Sequence, residues 1–259
     1  MADFSGRVVI ITGAAGGFGA AAAALFAAAG AHLVLSDISA DGLSALAGGL
    51  PGDHAVQAGD ISDPALSAQL VRTAIDRFGH LDIAVNNAGI AHDMMPLQSI
   101  ADGVARRVID IDLMGVFYAM KAQIPAMSSR FRKDGVTGSI VNVASIAGVV
   151  GAPMLGVYAA AKHGVIGLTK SAAIENAQRG IRINALCPSF ARTPMATDFI
   201  DRAGAEHRAD AEARLVRAIP MGRLAEVSEV MAGLVYLADP ANSFVTGQAI
   251  HVDGGLTAC

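Results

Sequence analysis

Tyr158 and Lys162 stand four residues apart in a segment with helical patterning, so their side chains share one face. That pairing suits proton transfer. A free phenol ionises near pH ~10, and a neighbouring ammonium favours the phenolate, making the group usable as a general acid or base. Ser145 lies thirteen residues earlier, just after the apolar run Ile140 to Val143, where it can hydrogen-bond a substrate oxygen. Alone, the Tyr–Lys pair reads equally well as a surface helix pair, and its weight comes from what accompanies it.

A second constellation sits near the N-terminus. The run Val8 to Ile11 leads directly into Thr12-Gly13-Ala14-Ala15-Gly16-Gly17-Phe18-Gly19, and a helical pattern follows. Glycines there permit a tight turn and let backbone N–H groups approach a phosphate, while the helix directs its positive end at the same point. The spacing Gly13-x-x-x-Gly17-x-Gly19 differs from the commoner G-x-G-x-x-G, and close helix–sheet packing is the plainer alternative. Asp37, eighteen residues after Gly19, ends the next apolar run where a carboxylate meets adenine-ribose hydroxyls. It would accept hydrogen bonds from NAD and repel a 2′-phosphate. No Arg or Lys occupies positions Ala14, Ala15, Ile38 or Ser39, so NAD is expected in preference to NADP. Capping of the following helix is the other role open to Asp37, although Ser39 can fill it.

These residues need a frame, and the chain supplies one by alternation. Short apolar runs recur at Val8–Ile11, Leu33–Leu35, Ile83–Val85, Ile140–Val143, Ile183–Leu186 and Ile250–Val252, with a weaker one near His54–Gln57. Helical segments lie between them: Phe18–Ala29, Ala40–Leu50, Pro64–Phe78, Val104–Met127, Val157–Gln178 and Ala225–Leu237. Gly30, Gly79 and Gly180 provide left-handed helix stops. The alternation predicts parallel strands joined by crossover helices, an α/β doubly wound sheet. Residues 1–259 read as one domain, with Pro188 to about Arg217 as an irregular excursion suited to a substrate loop or lid.

Composition closes off other classes. Hydrophobic residues make up 53 % and charged residues 16 % of 259, and the net charge of -4 is no footprint for nucleic acid. Basic residues are scattered, which argues against a membrane surface. No Lys, Arg, Asp or Glu occurs between Arg7 and Asp37, yet the stretch is Ala- and Gly-rich and reads as strand, turn, helix, strand rather than as a span or leader. Two cysteines, Cys187 and Cys259, are too few for a disulfide framework, and a cytoplasmic location is expected. The histidines are dispersed and neither cysteine lies in a ligand-spaced cluster, so no metal is expected. Cys187 reads as buried filler, and His92 could contact a polar substrate, although a lone loop histidine reads more readily as solvated.

With the glycine turn, Asp37, Ser145, Tyr158 and Lys162 in this order, the chain resembles the short-chain dehydrogenase/reductase family over nearly its whole length. Asp60, Asn86-Asn87-Ala88-Gly89, Pro188 through Thr193, Val245-Thr246-Gly247-Gln248 and Asp253-Gly254-Gly255 add to the likeness. The resemblance implies a Rossmann-type fold of about seven parallel strands. It implies that Ser145 orients the carbonyl or alcohol, that Tyr158 moves the hydroxyl proton, and that Lys162 favours the phenolate and holds the nicotinamide ribose. The backbone of Gly13, Gly17, Phe18 and Gly19 would take the pyrophosphate. Asp60 and Ile61 would meet the adenine, and Asn86, Asn87, Ala88 and Gly89 the neighbouring ribose region. Pro188, Ala191 and Thr193 would flank the nicotinamide end.

Two departures stand out. Asp112 in Ile109-Asp110-Ile111-Asp112-Leu113 replaces the family's usual Asn, which is associated with a water feeding protons to the lysine. Activity is expected to survive, because part of that role rests on the backbone carbonyl, and a carboxylate would favour Lys162 as ammonium. Pro188-Ser189 replaces the usual Pro-Gly, which strains the chain only if Ser189 needs positive φ.

Substrate-facing residues are expected in Ala91–Met95, Ala147–Leu155 and Phe190–Phe199. Met94, Met95, Val149, Val150, Met154, Leu155, Phe190, Met195 and Phe199 would make an adaptable apolar pocket for a neutral cyclic or aromatic alcohol or ketone. Arg192 is the cation that qualifies that expectation. The leading reading is an NAD-dependent alcohol dehydrogenase or ketone reductase. An epimerase or dehydratase with tightly held NAD, and a non-catalytic dinucleotide sensor, are the rivals, although the intact Ser145, Tyr158 and Lys162 speak against the sensor. The family likeness also implies a homotetramer, with a dimer as the alternative.

Overall fold

Every residue of the first strand is buried, because a central parallel strand is covered on both faces. β1 (Val8–Thr12) therefore carries the unbroken apolar run VVIIT, and its alternate side chains serve two cores. Val9 and Ile11 face α1 (Gly17–Ala28), whose Ala22, Ala23 and Phe26 are short enough, save one ring, to let the helix sit close. Val8 and Ile10 face the opposite layer, beside Leu66, Leu70 and Ala74 of α3 (Pro64–Phe78). Each such aliphatic side chain withdrawn from water contributes roughly 1.5–3 kcal/mol. The computed structural model describes residues 3–194, 196–197 and 208–258, without the side chain at position 211.

The remaining elements follow in order. They are β2 (His32–Asp37), α2 (Ala40–Gly49), β3 (His54–Ala58), β4 (Ile83–Asn86), α4 (Asp102–Ile109), α5 (Gly115–Asp134), β5 (Gly138–Val143), α6 (Gly156–Asn176), β6 (Ile181–Pro188), α7 (Arg208–Arg217), α8 (Val227–Ala238) and β7 (Ala249–Val252). The strands form one seven-stranded sheet in the order β3-β2-β1-β4-β5-β6-β7, with all pairs parallel. This is the Rossmann-type doubly wound arrangement. Ile10 pairs with Val34 on one side and Ala84 on the other, so the order reverses at β1. Crossovers leave β1 and β4 in opposite directions, and a cleft opens at their carboxyl ends.

Local chemistry ends the elements where the sequence marks them. Asp63 accepts a hydrogen bond from the Ala65 amide at the start of α3, and Gly79 stops that helix at φ 84°. Ser39 caps α2 by accepting from the Gly42 amide at 3.0 Å, so Asp37 is free of that duty. The charge-free stretch from Arg7 to Asp37 is β1, α1 and β2. Among the described residues no helix is long and apolar enough to cross a membrane.

Two expectations are corrected. The single helix expected over Val104–Met127 is α4 and α5, joined through a wider π turn at Asp110–Met114, and α5 continues to Gly135 at φ 69°. The π turn directs Asp112 inward, which a regular helical pattern does not reveal. The excursion from Pro188 is also not wholly irregular, since its later part forms α7.

A buried polar network fixes the helices that carry the site. Asn86 on β4 exchanges hydrogen bonds with Gln123 of α5 at 3.1 and 2.8 Å and donates to Asn142 of β5 at 2.8 Å. Asn142 in turn donates to Thr169 of α6 at 2.9 Å. With its partners supplied, such a network specifies one packing of α5 and α6 on the strands.

Candidate active site

Ser145, Tyr158, Lys162 and Asp112 all line a cavity of about 500 Å³ beyond the carboxyl ends of β4, β5 and β6. Ser145 follows β5 and caps a short 3-10 turn, its Oγ accepting from the Ala147 amide at 3.1 Å. The hydroxyl hydrogen remains available to a ligand. Tyr158 is in the first turn of α6 and Lys162 lies one turn on, its Nζ 5.6 Å from the centre of the Tyr158 ring.

Lys162 is held from two further sides. Its ammonium donates to the Val143 carbonyl at 3.2 Å and lies 3.2 Å from Asp112 Oδ2. Asp112 Oδ1 accepts from the Ile90 amide at 2.8 Å. The pair is almost wholly out of water, with Asp112 0 % and Lys162 3 % exposed. Gly89 leaves room for it, since a Cβ there would stand 3.2 Å from both charged atoms.

Burial pushes the Asp112 carboxyl above the usual carboxylate range, against the Lys162 charge and the Ile90 amide that hold it down. Burial also works to lower Lys162, but the Asp112 charge opposes it and the ammonium is held above its ordinary value. Each charge is tolerable because the other is present; an isolated buried charge costs several kcal/mol.

The glycine turn lies across the same cleft. Gly13 has φ 64°, and a Cβ on Gly19 would overlap the Gly13 carbonyl oxygen, so both positions require glycine. Thr12 and Asn87 bind β1 to β4 at this point: Thr12 Oγ1 accepts from the Asn87 and Ala88 amides at 3.0 and 3.1 Å, and Asn87 Nδ2 donates to the Gly13 carbonyl at 3.0 Å. Asp37 accepts from the Ala15 and Ser39 amides, each at 3.0 Å, which sets its carboxylate beside the turn. Each oxygen keeps a second lone pair for a ligand. Gly17 faces Thr193, whose Cβ would be 3.0 Å from a Cβ added there.

Other expected cofactor residues are placed more plainly. Asp60 accepts from Ser62 and pairs with Arg107 at 2.8 Å, Ile61 is core, and the Asn86 side chain is turned into the buried network. Phe18, Asn87, Gly89, Pro188, Ala191 and Thr193 line the cavity, with Phe18 and Ala191 also packed against or within the core. Ser189 is not among the residues at positive φ, so its replacement of glycine introduces no strain.

Of the expected substrate residues, Met94, Val150, Leu155 and Phe190 line the cavity. Val149 packs against the core instead, and Met95 and Met154 lie outside the lining. Met195 and Phe199 lie outside the described residues. Arg192 is engaged by Glu212 at 3.3 Å and Glu226 at 3.2 Å and does not line the cavity. Arg214 and Leu215 of α7, Ala218 just after it and Leu256 near the C-terminus do line it, and no sequence motif marked them.

His92 is 4 % exposed, with Nδ1 2.7 Å from the Asp93 carbonyl, which corrects its reading as a solvated residue. Cys187 is wholly buried and burial pushes its thiol up to about 11, as filler rather than nucleophile. Among the described residues no cluster of His, Cys, Asp or Glu could hold a metal ion.

Fold and site together define a class. A family model described as enoyl-(acyl carrier protein) reductase matches residues 13–257, and the chain belongs to the short-chain dehydrogenase/reductase family. It is 41 % identical over 258 residues, all of both chains, to 2,5-dichloro-2,5-cyclohexadiene-1,4-diol dehydrogenase of Sphingobium indicum. It is 42 % identical over 258 residues, 98 % of each chain, to cis-4-hydroxycyclohexanecarboxylate dehydrogenase of Sinomonas cyclohexanicum. A solved structure of levodione reductase superposes with a TM-score of 0.93 at 34 % identity, covering 99 % of each chain.

The Asp112–Lys162 pair makes a testable demand on pH. Because the folded-state value of Lys162 is raised, its contribution to stability is full below its ordinary 10.5 and is lost as pH climbs through the raised value. The raised Asp112 value has the same sign at acid pH: ionising it costs stability as pH rises from 3.8. Asp112→Asn removes the charge that supports the ammonium and leaves burial, which lowers Lys162. Urea midpoints of the variant should then lie below the parent's near pH 8, and the gap should narrow as pH rises toward 11 and the lysine becomes neutral in both folded and unfolded chains, with turnover within about tenfold. An unchanged alkaline profile would show that the pair contributes nothing.

Proposed function

We propose that the chain interconverts a secondary alcohol on a carbon ring and the corresponding ketone, using NAD(H). The supporting observation is the meeting of Ser145, Tyr158 and Lys162 on one cavity whose wall also includes Phe18, Asn87 and Thr193, beside the glycine turn. The two relatives are named for dehydrogenating ring-borne hydroxyls, one on a neutral diol and one on a ring bearing a carboxylate.

The residues fit a nicotinamide dinucleotide. A Cβ at Gly19 would fill the turn that a pyrophosphate needs, and α1 begins there with its positive end toward the cleft. When bound, the dinucleotide supplies the hydride acceptor or donor. Ser145 Oγ hydrogen-bonds the substrate oxygen and sets the carbinol carbon. In oxidation the hydroxyl proton passes to Tyr158 Oη, and in reduction Tyr158 returns it to the forming alkoxide. Lys162 stabilises negative charge on the tyrosine oxygen as the proton moves, while Asp112 and the Val143 carbonyl hold the ammonium in register. The apolar lining excludes water from this exchange.

Preference for NAD rests on Asp37, held by two amides with no cation at the adjoining positions Ala14, Ala15, Ile38 and Ser39. The segment Pro188 to Arg217 acts as the substrate lid, and α7 supports that role by lining the cavity. A cytoplasmic homotetramer completes the reading. Phe117 of α5 and Ile174 of α6, 37 % and 81 % exposed, leave apolar surface on the helices that would pair.

Tyr158→Phe should abolish turnover, followed as NADH absorbance with cyclic alcohols, while NADH binding by fluorescence stays near the parent value. Retained turnover would remove Tyr158 from the mechanism. Asp37→Ala should weaken NAD and narrow the NAD-over-NADP ratio of kcat/KM by about tenfold or more; a parent enzyme that already prefers NADP refutes the role given to Asp37. Light scattering at micromolar concentration should give the mass of four chains, and a monomer would refute the assembly.

A further inference from the structure

Among the described residues three charged side chains line the cavity: Asp112, Lys162 and Arg214. The first two form the buried pair at 3.2 Å and cancel. Arg214 is left as the one uncompensated charge on the wall among the described residues. It makes no hydrogen bond or ion pair with any described residue, although carboxylates are at hand on its own helix. Asp210 stands one turn before it with no ion pair to it, Glu212 is engaged with Arg192 at 3.3 Å, and Glu226 is engaged with the same arginine at 3.2 Å. The cation that the sequence drew attention to is thus satisfied outside the cavity, and an unmarked one faces into it.

The surroundings of Arg214 sharpen its role. Its neighbours on the wall are apolar, with Leu215 on α7, Ala218 just after it, Phe190 after β6, and Leu256. A guanidinium there stays charged, is weakly hydrated, and offers paired donors matched to a planar anion. Arg214 is itself exposed, so the attraction strengthens as far as a ligand seated against the apolar wall displaces water from it.

We propose that Arg214 recognises a carboxylate on the substrate, so that the preferred ring carries an acid group away from the carbon being oxidised or reduced. This rests on reading the cavity as the alcohol–ketone site and narrows the substrate from any apolar ring to a cyclic hydroxy or oxo acid. The ring body lies against the apolar lining, the reacting oxygen meets Ser145 and Tyr158, and the carboxylate meets Arg214. A phosphate of the dinucleotide is the rival anion, and the glycine turn gives it a separate place at the start of α1.

The test compares 4-oxocyclohexanecarboxylate with cyclohexanone, both reduced with NADH. The acid should have the higher kcat/KM by about ten- to a hundredfold. Arg214→Gln should collapse that ratio by raising KM for the acid far more than it lowers kcat, and Arg214→Lys should restore part of it. A parent enzyme that prefers the neutral ketone, or a variant that keeps the ratio, overturns the proposal. Calorimetric titration of cyclohexanecarboxylate into the protein–NADH complex reads the contact without turnover. Binding that is lost in Arg214→Gln, with NADH affinity retained, supports the proposal even if neither ketone is reduced and the alcohol–ketone reading falls. Equal binding in the variant, no binding in the parent, or a loss confined to NADH affinity assigns Arg214 elsewhere and ends it.

Discussion

A lysine ammonium with almost no access to water has to be balanced, and much of the site is arranged around that necessity. Asp112 supplies the balancing charge, and the two are worth having only together, because either alone would be a bare ion in a medium that solvates it poorly. The consequences reach into the backbone. The π turn between α4 and α5 brings Asp112 to the lysine, the Ile90 amide takes its second oxygen, and Gly89 withholds the side chain that would crowd both charges. The Val143 carbonyl at the end of β5 then fixes the ammonium relative to the strand that presents Ser145. One electrostatic requirement thus ties together the ends of β4 and β5, the α4–α5 junction and α6.

The sheet makes such a meeting possible. Seven parallel strands send their carboxyl ends to one edge, and reversal of the order at β1 opens that edge into a cleft. Thr12 and Asn87 close β1 to β4 at the opening, so the glycine turn and the loop carrying Gly89 are tied to each other by hydrogen bonds. Deeper in, the Asn86, Gln123, Asn142 and Thr169 network does for α5 and α6 what apolar packing cannot. Greasy surfaces tolerate sliding, whereas directional bonds with the wrong register would leave buried amides unpaired.

What could be seen in the sequence divides along physical lines. Strand periodicity, glycine stops and the Tyr158–Lys162 spacing are local, and each appears in the structure within a few residues of its expected place. Ser39 as the cap of α2, which leaves Asp37 unclaimed by the helix, was likewise visible as a choice between two neighbours. The π turn was not, since one extra residue in a helical circuit leaves no mark on an apolar pattern read over a long window. His92 was misjudged because burial of a loop residue is a tertiary property. Arg192 and Arg214 show the same limit: both belong to the excursion after β6, and only the folded positions of Glu212 and Glu226 decide which cation is satisfied. Leu256 reaches the cavity from far along the chain, where spacing carries no information.

The substitution of Asp112 for the family's usual Asn bears on more than the lysine. With an amide at that position, Lys162 would be an uncompensated cation next to the reacting groups, and an acidic substrate would have two positive ends to choose between. One choice would set its carboxylate beside Tyr158 and carry the ring hydroxyl away from the proton acceptor. With Asp112 ionised, the Tyr158 end presents no net charge from its lysine, and among the described residues the only unbalanced cation on the wall is Arg214. A like charge adds to the asymmetry, because a carboxylate brought toward Lys162 also approaches Asp112 and meets repulsion in a medium of low dielectric. Selection of orientation therefore comes from an attraction on α7 and from a repulsion at the π turn, two features that are separate in the chain and act on the two ends of one ligand.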